Sequence, residues 1–169
     1  MDRIVLDTNC LLISLSKRGN YYKVWKEFFA EKYTLCYTNE ILSEYEEILS
    51  LKMGAAIAQN VIKAIITRKN TLKLDAHFRF NLIQSDVDDN KFVDCAIVAN
   101  ASYIVSQDHH FNILKNIDKQ KVLKLKEEAA YQKGQVVSKI LAQNEALSVT
   151  FFLLIKKKLV LIKVVEILL

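Results

Sequence analysis

Apolar positions along this chain change their spacing several times, and each change marks an element. Arg3 to Leu6 is a short apolar, β-branched run that stops on Asp7, as a buried strand would. Cys10 to Leu15 predicts the first turns of a helix, with Thr8 or Asn9 as its cap. Tyr21, Val24, Trp25, Phe28 and Phe29 recur at three and four, which predicts an amphipathic helix over Tyr21 to Lys32. Its aromatic residues read as core rather than as a base-stacking surface. Thr34 to Thr38 predicts a second strand. Thr38-Asn39 then caps a helix whose stripe is Ile41, Leu42, Tyr45, Ile48 and Leu49, with Glu44 on or beside it.

Gly54 to Lys69 predicts a further helix, carried by Ile57, Val61, Ala64 and Ile65. Leu72 to Leu82 reads as irregular. An acidic cluster, Asp86-Val87-Asp88-Asp89, leads into a helix with Phe92, Val93, Ala96, Ile97 and Asn100 on one side. Tyr103 to Val105 is a buried strand that leads to Asp108. His109 opens a helix to Asn116, and adjacent residues on a helix point about 100° apart, so His109 and His110 are not expected to share a site. Lys121 to Leu125 alternates and predicts an edge strand. The order predicts a parallel, helix-flanked sheet with right-handed crossovers. The character shifts near residue 126, which divides a domain over residues 1–125 from a divergent segment over 126–169, packed on the same domain. Val149 to Leu169 is strongly apolar but is split by Lys156-Lys157-Lys158 and Lys163. That leaves no run of the roughly 20 residues a membrane span needs. The segment is expected to cover the sheet edge or form a subunit interface.

Composition sharpens this picture. Apolar residues make up 51%, enough for a real core, and the absence of proline with only three glycines argues against a turn-rich all-β fold. Cys10, Cys36 and Cys95 are odd in number and widely spaced, which excludes a disulfide framework and a zinc-type cysteine pair. The chain opens on a strand, not on a signal-peptide pattern, so the cytoplasm is the expected compartment. A net charge of +5 favours a polyanionic partner. The acids are concentrated in a few segments, so the remaining surface is more basic than the total implies.

Those acids carry the candidate chemistry. Asp7, Glu44, Asp89 and Asp108 all stand at strand ends or helix starts, where a parallel sheet gathers its ligands. Two carboxylates about 4 Å apart repel by roughly 4 kcal/mol at an effective dielectric near 20, so several together call for a divalent cation. Hard oxygen donors without cysteine suit Mg²⁺ or Mn²⁺, and such a centre suits in-line phosphodiester cleavage. Thr8, Asn9 and Ser106 are expected to hold the carboxylates or water.

The segments Ile4-Val5-Leu6-Asp7-Thr8-Asn9, Ile41-Leu42-Ser43-Glu44-Tyr45 and Asp86 to Phe92, together with Tyr103-Ile104-Val105-Ser106-Gln107-Asp108, resemble the four acidic motifs of PIN-domain ribonucleases. The likeness is strongest to the toxin components of bacterial toxin–antitoxin pairs, akin to VapC toxins. It implies a three-layer α/β/α sandwich around a central parallel sheet and Mg²⁺- or Mn²⁺-dependent cleavage of RNA. It also implies dimerisation and a cognate antitoxin protein. By that likeness Asp7, Glu44, Asp89 and Asp108 are both the metal ligands and the catalytic residues.

Asp94 is the alternative third ligand. It lies five positions from Asp89 on one predicted helix, so the two directions differ by about 140°. Asp89 stands at the positively polarised helix start and is the expected one. Two other functions share the pattern: a PIN-like RNA-binding module without catalysis, and a receiver-like phospho-acceptor.

Overall fold

The computed structural model describes residues 1–116 and the backbone of the strand Val160–Lys163. Four strands run parallel: β1 (Arg3–Leu6), β2 (Thr34–Tyr37), β3 (Thr71–Lys73) and β4 (Tyr103–Ser106). β5 (Val160–Lys163) lies antiparallel to β4, and the order is β3-β2-β1-β4-β5. Three successive residues are buried on each of β1, β2 and β4: Ile4-Val5-Leu6, Leu35-Cys36-Tyr37 and Ile104-Val105-Ser106. Successive side chains leave opposite faces of a sheet, so both faces must be covered. The covering elements are α1 (Thr8–Ser14), α2 (Tyr22–Phe29), α3 (Asn39–Met53), α4 (Ala55–Thr67), α5 (Asn90–Ala99) and a 3₁₀ helix over His109–Asn116.

The strand order reverses at β1. From β1 the chain steps to β2 and β3 on one side, then returns to β4 on the other. Right-handed connections in the two directions place helices on both faces, and the chain leaves the carboxyl ends of β1 and β4 in opposite directions, which opens a crevice there. This is the α/β/α sandwich expected from the sequence. It is not the 2-1-3-4-5 order of receiver-like domains, which disposes of the phospho-acceptor reading.

Local chemistry sets the element ends. The Thr38 hydroxyl accepts the Ile41 backbone N–H at 3.3 Å and starts α3, which buries Ile41, Tyr45 and Leu49 at steps of four. Tyr45 is fully buried, and its hydroxyl donates to the Leu6 carbonyl, tying α3 to the end of β1. Gly54 sits at φ 91° between α3 and α4, a backbone that side chains rarely adopt, although an added Cβ would meet nothing within 4 Å. Asn100 ends α5 in the left-handed conformation, φ 50° and ψ 50°, which asparagine tolerates. All three cysteines are buried free thiols.

Three details differ from the pattern reading. Asp7, not Thr8 or Asn9, caps α1, which starts two residues earlier than expected. β3 lies where the chain reads as irregular, since the alternation Leu72-Lys73-Leu74 is too short to stand out. On α4 the buried stripe is Ala58, Val61 and Ile65, with Ile57 exposed. The aromatic expectation holds for Phe28, which is fully buried, whereas Phe29 is exposed and lies 4.7 Å beneath the Arg68 guanidinium. The expected strand over 121–125 and the boundary near 126 lie outside the described residues.

Ending the chain after residue 147 removes β5 and leaves β4 unpaired along one edge. The shortened protein should aggregate or associate on size-exclusion chromatography. A soluble product of unchanged oligomeric size would show that β4 needs no partner strand.

Candidate metal centre

Asp7 enters the crevice directly from β1. Its backbone N–H donates to the Val105 carbonyl at 2.9 Å, which locks it against β4. Its carboxylate accepts the Ser106 hydroxyl at 2.8 Å on Oδ2 and the Asn9 backbone N–H at 3.2 Å on Oδ1. Ser106 Oγ also accepts the Asp108 backbone N–H at 2.9 Å, so one hydroxyl links the two acids. Asp7 is only 5% exposed, and burial pushes its carboxyl up from the ordinary range. The charges of Glu44 and Asp108 push the same way, against the two hydrogen bonds.

Glu44 reaches the crevice from the first turns of α3, where the Tyr45 anchor fixes the helix rotation. Its Oε1 accepts the Thr8 hydroxyl, and its Oε2 lies 2.5 Å from the Lys91 ammonium. Lys91, in the first turn of α5, also pairs with Asp88 Oδ2. Burial works against that ammonium, but its bonds to Asp88 and Glu44 outweigh it and hold the pKa above the ordinary lysine value.

The acidic turn before α5 is shaped by Asn90. Its side-chain amide accepts the Ile83 N–H at 2.9 Å, and donates to the carbonyls of Ile83 at 2.7 Å and Val87 at 3.0 Å. Asp86 Oδ1 accepts the Asp88 N–H at 3.1 Å, the local bond that favours aspartate in turns. Asp89 occupies the cap position of α5 but makes no side-chain cap bond. Its Oδ2 lies instead 3.3 Å from His110 Nδ1, which is 3.2 Å from Asp108 Oδ1 and 3.8 Å from Asp86 Oδ2. Asp108 also accepts the His110 backbone N–H at 2.8 Å, so it caps the 3₁₀ helix while facing the cluster.

The fold thus gathers Asp86, Asp89 and His110 in one group and Asp108, His109 and His110 in another, with His110 common to both; Asp7 is joined through Ser106, and Glu44 is held by Thr8. The two histidines were not expected to share a site, yet His109 Nδ1 lies 3.4 Å from the same Asp108 Oδ1 that His110 approaches, and the two ring centroids are 4.3 Å apart; His109 is the exposed one, and His110 turns inward. His110 and Lys91 are the site groups the sequence reading left out. His110 was visible only as half of a pair, and Lys91 only as a lone charge beside an apolar run. Thr8 and Ser106 hold carboxylates as expected, whereas Asn9 does so through its backbone.

Asp94 is elsewhere. It is fully buried, accepts the Phe80 N–H at 3.0 Å and faces the Arg79 guanidinium at 3.6 Å. Arg79 in turn binds Glu40 at 2.7 Å. Asp94 therefore pins the segment before α5, with none of the crevice acids as its partner.

The crevice offers hard oxygen donors, and burial with the neighbouring charges makes the Asp7 and Asp89 carboxyls resist ionising. That donor set fits a divalent cation. A family model described as PIN domain matches residues 3–110, more than half of the chain and every residue of this cluster. No curated protein matches the chain.

Asp89 is pushed up to about 6, chiefly by burial and then by the charges of Asp86 and Asp108. A folded-state pKa raised above the unfolded value favours the fold while the group is protonated. That contribution is present below about pH 4 and is lost as pH rises through about 6. A divalent ion competes with this proton. Mg²⁺ or Mn²⁺ should therefore raise the melting temperature more at pH 7.5 than at pH 5, by roughly 5 °C at saturation. Fluorimetric melts that shift equally at both pH values would contradict this.

Proposed function

The chain belongs to the PIN-domain family, and we propose on that premise that it is a metal-dependent endoribonuclease centred on Asp7, Glu44, Asp89 and Asp108. The observation that carries the reading is Asp7. A carboxylate buried in the crevice, hydrogen-bonded on both oxygens and crowded by the charges of Glu44 and Asp108, is unfavourable without a cation. We assign Mg²⁺ or Mn²⁺, since the donors are carboxylate oxygens. When bound, the ion supplies Lewis-acid stabilisation of charge on the scissile phosphate and lowers the pKa of water.

The chain's own groups then have separate tasks. Ser106 and the Asn9 N–H fix Asp7 while each oxygen keeps a free lone pair. Thr8 fixes Glu44. His110 lies against Asp89 and Asp108 and orients both. Rigid positioning of this kind lowers the reorganisation needed during reaction. The net charge of +5 supports RNA as the polyanion.

The motif likeness supports a finer reading. The protein acts in the cytoplasm as the toxin of a toxin–antitoxin pair, as a homodimer neutralised by a small antitoxin protein. Induced expression should then arrest growth, and co-expression of the adjacent small reading frame should relieve it.

Labelled single-stranded RNA should be cut with Mg²⁺ or Mn²⁺ and spared with EDTA. Asp7→Asn should lower the rate by at least about 100-fold while leaving the melting curve cooperative. RNA binding without metal-dependent cleavage would instead mark a non-catalytic binding module.

Asp89→Asn should abolish cleavage. Asp94→Asn should lower the melting temperature and leave the folded protein active, because its partners are Phe80 and Arg79. The reverse order of damage in paired rate and melting measurements would move the metal to Asp94.

A further inference from the structure

The crevice divides its negative charge unequally. Glu44 and Asp88 share the ammonium of Lys91. Among the described residues, Asp7, Asp86, Asp89 and Asp108 pair with no lysine or arginine; their partners include Ser106, the backbone N–H groups of Asn9 and Asp88, and the two histidines, His109 and His110. Lys91 is not a surface group that happens to reach inward. Its side chain is 6% exposed, and it leaves the first turn of α5 two residues after Asp89.

A buried ammonium is unfavourable unless carboxylates surround it. Here it bridges two, one from α3 and one from the turn before α5, and so fixes the distance between those elements. Glu44 is engaged on both oxygens, by Thr8 on one and by Lys91 on the other. In two-metal phosphodiesterases, cations about 3.5–4 Å apart are bridged by shared carboxylates. One place of that kind is filled here by a cation that belongs to the chain.

We propose that the Lys91 ammonium takes the place of a second metal ion, so that the centre holds one divalent cation, on the Asp7, Asp89 and Asp108 side. This rests on the metal-centre reading above. Lys91 is a positioning residue: it neutralises Glu44 and Asp88 and keeps them from recruiting another ion. The division also follows from charge alone. A second divalent ion beside the ammonium would meet its repulsion and would find Glu44 already engaged.

The test is Mn²⁺ titrated into the full chain, with stoichiometry from calorimetry and electron paramagnetic resonance on the same samples. Wild type should bind one Mn²⁺ per chain and give an uncoupled six-line spectrum. Lys91→Met keeps much of the side-chain volume, loses the charge and releases Glu44 and Asp88. It should bind two Mn²⁺ per chain and show spin coupling. Lys91→Arg should stay at one. Two coupled ions in wild type would overturn the proposal, as would Lys91→Met that folds and still binds one ion with unchanged affinity. Should Lys91→Met not fold, the wild-type stoichiometry and spectrum decide the matter alone. Wild type that binds one uncoupled Mn²⁺ yet cuts no RNA would refute the ribonuclease reading and uphold the role of Lys91. Wild type that binds no Mn²⁺ would overturn both.

Discussion

Carboxylates from four separate stretches of chain gather at the carboxyl ends of β1 and β4, and their charges add to the cost of ionising Asp7 and Asp89. Water cannot offset that cost inside a crevice where Asp7 is almost wholly covered. Much of the surrounding structure serves to hold this charge in place. Ser106 is spent on Asp7, Thr8 on Glu44, His110 on Asp89 and Asp108, and Lys91 on Glu44 and Asp88. Tyr45 gives up its hydroxyl to hold α3 at the rotation that delivers Glu44. These groups are polar and buried or half-buried, in places where an apolar side chain would pack with less penalty.

The sheet was legible because a strand buried on both faces needs an unbroken apolar run. Ile4-Val5-Leu6 and Tyr103-Ile104-Val105 provide one each. The acids near their ends were legible for a related reason: an ionisable group at once after such a run, as Asp7 is, or a few residues on, as Asp108 is, falls at the sheet's carboxyl edge. β3 was not, since a three-residue edge strand with no fully buried position needs no hydrophobic run. Nor were Lys91 and His110, whose roles depend on which distant carboxylates the fold brings to them. Asp89 and Asp94 face different partners, Asp89 from the cap position just before α5 and Asp94 from within the helix.

Asp94 shows why a buried acid is not by itself a sign of chemistry. Its partners are a backbone N–H and an arginine, and they serve to fasten the segment that precedes α5. Asn90 does the same one turn earlier with three hydrogen bonds. Together they hold a stretch without regular structure along the carboxyl edge, and the acidic turn at its end inherits that rigidity.

The closing strand carries a consequence in time. β4 is complete at Ser106, but the strand that pairs with its free edge begins some fifty residues later, at Val160. At ribosomal speeds of about 5–20 residues per second, the edge waits roughly 3–10 s for its partner after β4 has been made. For that interval the growing chain offers open backbone donors and acceptors beside a hydrophobic strand. A nascent chain in that state is a natural client for a chaperone, and two neighbouring chains on one messenger could pair through it before either is finished.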